Sequence, residues 1–345
     1  MASWRGIAAV VACVVWFCFG GLAWAQSGDD VVATIGERKV TRAELQQKEG
    51  DKLLQARYQY YLAERKALDQ VIDQQLLETE AGREHVSVKE LLERHVNSQV
   101  QDPTEAEMKV YYEGLDTEEP FAALRPKILQ RVRERRLARA RSDYLESLRK
   151  DNSVMIALAP PSADVPLGNA PLRGRADAPV LMIEFADYQC PYCQKIHPQI
   201  KKLQDEFGGK VAVAFKDFPL PMHEHAEKAA EAARCAGEQG KFWEFHDMLF
   251  EDGQKLETTQ LKEHARSLKL DTTRFDTCLD SGAQAAAVQK DATEGKGLGL
   301  TGTPSFFLNG HFFSGAVDYS TLHGMIEQEL ARSPTRESAQ NRGQP

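Results

Sequence analysis

Two cysteines two residues apart, Cys190 and Cys193, follow directly on an apolar run at residues 180–185. A short apolar run of that kind reads as a buried strand, and the stretch from Pro191 onward reads as a helix. A cysteine at the first turn of a helix meets unpaired N–H groups and the positive end of the helix dipole, which favour thiolate over thiol. The i, i+3 spacing puts the second sulfur on the same helical face, within disulfide reach. Pro191 suits the first turn, where a missing N–H leaves nothing unpaired. Strand, turn and helix together predict a reactive, reversible dithiol.

Other meanings of the pair fit less well. Zinc asks for a second Cys/His pair at ligand spacing. Cys235 and Cys278 are isolated, and His223-Glu224-His225 is too short a cluster to complete a site. A structural disulfide closing so small a loop removes little unfolded-chain entropy. No metal and no cofactor is therefore expected.

The chain has 345 residues, room for about two domains, and a net charge of −8 that argues against general nucleic-acid binding. Arg131, Arg133, Arg135, Arg136, Arg139 and Arg141 form a basic helix that reads as a solvated face balanced by nearby acids. At the N-terminus, Met1 to Arg5 carries one positive charge and residues 6–20 are almost wholly apolar. Ala23-Trp24-Ala25 supplies a small-x-small cleavage pattern. The segment reads as a secretory signal peptide, residues 1–25, with an uncleaved membrane anchor and lipoprotein processing at Cys13 as alternatives. Of six cysteines, Cys13 and Cys18 fall in that segment. An exported chain meets oxidising conditions, so disulfides are permitted.

Residues 31–40 alternate around Gly36 and predict a hairpin-like entry. Thr41-x-x-Glu44, Ser87-x-x-Glu90 and Thr104-x-x-Glu107 are capping boxes, and Leu68, Val71, Ile72 and Leu76 recur at helical spacing. A mainly helical region thus runs to residue 156. Residues 157–176 are rich in Pro, Gly and Ala and read as a linker. Then come a strand, a helix to about Phe207, a strand at residues 211–215 and a helical stretch over residues 223–288. A hairpin turning at Asn309-Gly310 and a last helix at about residues 320–332 complete the pattern. Phe242, Trp243, Phe245 and Phe250 read as helical core, and His223, His225 and His246 as surface or packing residues.

The segment VLMIEFADYQCPYC and the later Thr301-Gly302-Thr303-Pro304-Ser305-Phe306-Phe307 resemble the thioredoxin superfamily, in particular its DsbA-like branch of exported thiol-disulfide oxidoreductases. The resemblance implies an α/β thioredoxin-like fold with a helical insertion over residues 177–333; the polar residues after it, 334–345, read as a flexible tail. It makes Cys190 the exposed attacking thiol and Cys193 the buried resolving thiol. Pro304 becomes a cis-proline whose neighbour Thr303 bonds an extended substrate through its backbone. Glu184, six residues upstream of Cys190, matches a buried acid that relays a proton to Cys193; the alternative is a satisfied strand-end carboxylate. Cys235 and Cys278 match positions that pair in some relatives, and two buried free thiols are the alternative. Two departures leave redox direction open. Tyr192 stands where the strongest oxidants carry histidine, and Thr303 is closer to isomerase-like relatives.

Residues 26–156, with VVATIGERKVTRAEL and PTEAEMKVYYE, resemble the N-terminal region of SurA-type exported chaperones. The implied role is to hold unfolded clients or to dimerise; a plain helical spacer is the alternative. The expectation is an exported thiol-disulfide oxidoreductase acting on cysteines of secreted or envelope proteins. A holdase with a secondary isomerase or reductase role is the rival. The implied partners are unfolded or cysteine-containing exported proteins, a membrane or soluble redox partner and, through the helical region, a second copy of the chain.

Overall fold

The computed structural model describes residues 31–49, 51–315 and 317–332. The expected signal peptide, residues 1–25, and the expected tail, residues 334–345, lie outside them. No helix among the described residues is long and apolar enough to cross a membrane.

The chain divides into two compact units, the first ending at Gly50. In that unit β1 (Val31–Ile35) and β2 (Arg38–Thr41) form the antiparallel hairpin expected around Gly36, whose φ is +61°. Helix α1 (Arg42–Glu49) follows, with Glu44 N–H bonded to the Thr41 hydroxyl at 3.1 Å.

The second unit begins with α2 (Leu54–Arg83), α3 (Val88–His95), α4 (Glu105–Glu113) and α5 (Phe121–Asp151). Ser87/Glu90 and Thr104/Glu107 close full capping boxes at the starts of α3 and α4. Leu76, Leu77 and Ala81 of α2, Leu91 of α3 and Leu148 of α5 make a small core of their own. Arg149 fastens α5 to α2 through Asp69 (2.9 Å) and Asp73 (2.6 Å). Acids balance the basic helix as its composition suggests: Arg136 meets Glu107 at 2.6 Å and Arg133 meets Asp102 at 3.4 Å.

The rest is a five-stranded sheet clasped by helices. Its strands are β3 (Leu172–Arg173), β4 (Val180–Ala186), β5 (Val211–Asp217), β6 (Ser305–Leu308) and β7 (His311–Ser314), in the order β3-β5-β4-β6-β7. Parallel β4 and β5 are joined by α6 (Pro191–Phe207), as a parallel pair requires a crossover. Strand β4 is apolar except for Glu184 and is buried nearly throughout, as a central strand covered on both faces must be. The β6–β7 hairpin turns at Asn309 and Gly310 with φ of +48° and +86°, the left-handed pair that Asn-Gly adopts most readily. Helix α12 (Tyr319–Arg332) closes the fold.

The stretch expected as one helical run, residues 223–288, is broken into α7 (Ala226–Gly237), α8 (Phe242–Glu251), α9 (Thr258–Ser267) and α10 (Thr272–Ser281), with α11 (Ala285–Gly297) extending beyond it. Gly282, at positive φ, caps the end of α10, and Gly240, also at positive φ, lies in the turn between α7 and α8. Cys235 of α7 and Cys278 of α10 are joined in a disulfide inside the insertion core. Phe242, Phe245 and Phe250 lie in the same core, with Trp243 half-buried against it.

The stretch expected as a linker, residues 157–176, is instead built onto both edges of the sheet. Ser162 bridges His311 on β7, and Pro161 O accepts from Phe312 N–H at 2.7 Å. At the other edge β3 pairs antiparallel with β5, and Pro171 O accepts from Phe215 N–H at 3.0 Å. Proline lacks a donor but keeps its carbonyl, so a Pro-rich segment can still pair as an edge. Composition alone does not separate such a strap from a linker.

Nor do the helical and redox regions have wholly separate cores. Leu54 and Tyr58, at the start of α2, belong to the sheet's core, with Tyr58 edge-on to Phe312 of β7 at 5.1 Å. Tyr58→Ala is expected to destabilise the sheet's unfolding transition by about 3 kcal/mol in urea, as large-to-small core changes do. Replacing Cys235 and Cys278 together by alanine opens a bond spanning 43 residues. The expected loss is up to ~4 kcal/mol by loop-closure entropy, again read by urea unfolding; no loss would mean that the bond adds nothing to the stability of the fold.

Candidate active site

Strand β4 ends at Ala186, the chain turns through Asp187-Tyr188-Gln189, and Cys190 becomes the N-cap of α6. Pro191 takes the first helical position. Both thiols are free: the structure shows the reduced dithiol. Pro191 and Tyr192 face solvent, Tyr192 at 62% exposure, so the Tyr192 side chain directs neither charge nor hydrogen bond inward.

Cys193 is fully buried, as expected. Cys190 departs from the exposed thiol that the family resemblance implies, being only 3% exposed. The cause is its opposite wall. The Thr303-Pro304 peptide bond is cis, and the Cys190 thiol donates to the Thr303 carbonyl at 3.4 Å. The sulfur therefore lies against a main chain that caps it.

This setting separates the two thiols. A hydrogen bond from the Cys193 thiol leads in lowering the Cys190 pKa to about 5; burial opposes it, and Thr303 and the N–H groups of Cys193 and Tyr192 assist. Thr303 Oγ1 is buried without a partner beside the thiol. Ionisation of Cys190 gives that hydroxyl an acceptor, so an unpaired polar atom becomes a stabilising donor. Burial drives Cys193 the other way, well above its ordinary value, and the charge on Cys190 and the field of Glu184 add to it.

Glu184 lies mid-strand, paired with Phe215 and Phe306 on either side, and is 2% exposed. Its Oε1 has no hydrogen-bond partner, so it is not a satisfied strand-end carboxylate. Burial lifts its pKa to about 8, with Arg173 pulling weakly downward. The carboxyl is therefore neutral across most of the physiological range.

Two residues of the site escape a reading along the chain. Asp187 is fully enclosed: Oδ1 accepts from Gln189 N–H at 2.7 Å, and Oδ2 accepts from Leu220 N–H at 2.8 Å and from His223 Nδ1 at 2.7 Å. Of the surface and packing roles open to His223 the structure gives it the packing one, and 36 residues separate the pair. The only signal in the sequence is a carboxylate placed where β4 ends. His246 is also built in, its Nδ1 3.0 Å from the Tyr188 hydroxyl. Among the described residues, His197, His246 and Asp247 form one group with metal-ligand spacing. Asp247 already faces Arg173 at 2.7 Å and Lys201 at 3.2 Å, cations that compete with any metal there.

Residues 167–328 match the family model for thioredoxin. Residues 1–104 match the model of the SurA-like N-terminal domain. The chain joins a thioredoxin fold bearing a disulfide-capable cysteine pair to a SurA-like helical region. Among curated proteins it is similar to Na(+)/H(+) antiporter NhaA 3 of Salinispora tropica, 34% identical over 166 residues, covering 48% of this chain and 25% of that protein. The NhaA antiporter of Herminiimonas arsenicoxydans is 32% identical, covering 48% and 26%. The chain thus spans about a quarter of the curated relatives it matches. Among solved structures it is similar to a thioredoxin-like oxidoreductase from Silicibacter pomeroyi (30% identity, 49% of this chain and 95% of that one, TM-score 0.44). It is also similar to BdbD from Bacillus subtilis (27%, 50% and 99%, TM-score 0.45).

Glu184 gives a test of the buried acid. A carboxyl whose folded pKa exceeds its unfolded one contributes its full stability below about pH 4.5, and that contribution is lost as pH rises through about 8. Glu184→Gln cannot ionise and avoids the loss. In urea unfolding across that range the variant should gain on the wild type as pH rises, by on the order of 3 kcal/mol at pH 7. A gap that does not change with pH would contradict a buried, neutral Glu184.

Proposed function

We propose that this chain is an exported thiol-disulfide oxidoreductase that acts on cysteines of secreted or envelope proteins through Cys190 and Cys193. The observation that carries the reading is Cys190 at the N-cap of α6, its pKa lowered to about 5 by its neighbours, beside a buried Cys193 whose pKa is raised. A dithiol split in this way has one sulfur suited to attack and departure and one suited to resolution.

In the oxidised form a substrate thiolate attacks Cys190 Sγ. The Cys190–Cys193 bond breaks, Cys193 leaves with the electron pair, and a substrate–Cys190 disulfide forms. The substrate's second thiolate then attacks its own sulfur in that mixed disulfide and expels Cys190 as a thiolate. Two electrons have moved from substrate to protein, and a redox partner must remove them. Glu184, neutral below about pH 8, is the proton source for Cys193 as it leaves. The Thr303 main chain lies beside the sulfur, where an extended substrate segment can add as a strand. Stabilising the Cys190 thiolate stabilises the reduced form, which favours disulfide donation over reduction.

The helical region supports a secondary holding role. Tyr60, Val71 and Val110 on α2 and α4 are 70%, 65% and 69% exposed, apolar surface that suits an unfolded chain. Held clients would meet the dithiol at raised local concentration.

Iodoacetamide labelling against pH tests the thiols. Cys190 should alkylate with a midpoint near pH 5, while Cys193 stays unreactive beyond pH 9. Cys193→Ser should accumulate mixed disulfides with a reduced and reoxidising client protein, and Cys190→Ala should accumulate none. A Cys190→Ala chain that still oxidises clients would defeat the proposal.

A further inference from the structure

The loop at residues 218–225 is tied to the turn before Cys190 at four successive points. Phe218 N–H donates to Ala186 O at 2.8 Å, Leu220 N–H and the His223 ring meet Asp187 Oδ2 at 2.8 and 2.7 Å, and His225 N–H donates to Gln189 Oε1 at 2.8 Å. Asp187 also touches both cysteines through its own backbone. Its carbonyl accepts from Cys190 N–H at 3.1 Å, and its N–H reaches the Cys193 sulfur. One buried residue thus joins the dithiol to His223.

The chemistry of that junction is one-sided. The Asp187 carboxylate is an enclosed acceptor of three donors, and two of them are main-chain amides without net charge. A buried negative charge three residues from Cys190 opposes formation of a second negative charge on its sulfur. Tyr192, the side chain between Pro191 and Cys193, points to solvent and offers no compensation. The remaining donor to Asp187 is His223, an imidazole able to carry positive charge. Its side chain is 19% exposed and borders a surface groove with Glu224, Glu227 and Lys296. The other charges nearby, Asp217 and Asp291, are paired with Arg234, and Lys216 is paired with Glu294.

We propose that His223 is a positioning residue for the dithiol: it offsets the Asp187 charge and holds the turn that carries Cys190, and so favours the Cys190 thiolate. The inference rests on the redox function proposed above. It assigns to a loop far along the chain a control that the side chains between the cysteines do not supply.

The test uses the full chain with His223→Ala and His223→Gln. Two quantities are measured: the pH midpoint of Cys190 alkylation and the dithiol–disulfide equilibrium with glutathione. His223→Ala leaves the Asp187 charge uncovered. It should raise the midpoint by about one pH unit and shift the glutathione equilibrium about tenfold toward the protein disulfide. His223→Gln keeps a donor to Oδ2 but cannot take up a proton, and should show at least half of that shift, with an unchanged circular dichroism spectrum. If both folded variants match the wild type within twofold, the inference fails while the redox function stands. If the wild type itself does not exchange with glutathione, the redox function fails and this inference with it.

Discussion

The parallel pairing of β4 with β5 is the constraint on which the site depends. It forces a crossover, and the crossover helix must start where β4 ends. Cys190 sits at that start, so the N–H groups of α6 face its sulfur without any special loop. Antiparallel β6 then packs on the other side of β4, and the residue leading into it, Thr303, reaches the same sulfur. Two neighbours of one strand bring the thiol and its opposing main chain together. A change that slipped β6 along β4 by one residue would turn Phe306 and Phe307 each to the opposite face of the sheet and separate Thr303 from Cys190.

Two carboxyl groups near the dithiol illustrate how environment divides one chemistry. Glu184 is buried with an unpartnered oxygen and is held neutral; Asp187 is buried with three donors and acts as an acceptor. The first stays protonated over most of the physiological range. The second fixes the turn that ends at Cys190. Glu184 is the costly one, since an unpaired buried acid costs several kcal/mol relative to an apolar residue.

Much of this was legible along the chain because its causes are local. Helix capping, the Asn309-Gly310 turn, the apolar strand before Cys190 and the cysteine spacing are each decided within a few residues, and each took its expected form. The missed features are decided by partners far away in sequence. Residues 157–176 look like a linker because nothing local says that β5 and β7 have free edges to receive them. Asp187 and His223 look unremarkable singly, since their bond depends on how the loop after β5 folds back over the turn after β4. The burial of Cys190 depends on Thr303, which stands 113 residues later.

The strap on β7 bears on how the two regions can work together. The chain leaves the sheet region for the helices along α2, whose first turns are packed on β7, and it returns along β7 through Pro161 and Ala163. Both connections therefore run through one edge of the sheet. Helix α2 is 30 residues long, about 45 Å, and its far half belongs to the helical core. A continuous helix shared by two cores transmits position, whereas a Gly/Ser-rich tether sets only an average distance. A client on the helical layer would then be offered to the dithiol from a defined direction. Its local concentration there would depend on geometry rather than on linker length, and would be high only for cysteines that the geometry lets reach Cys190.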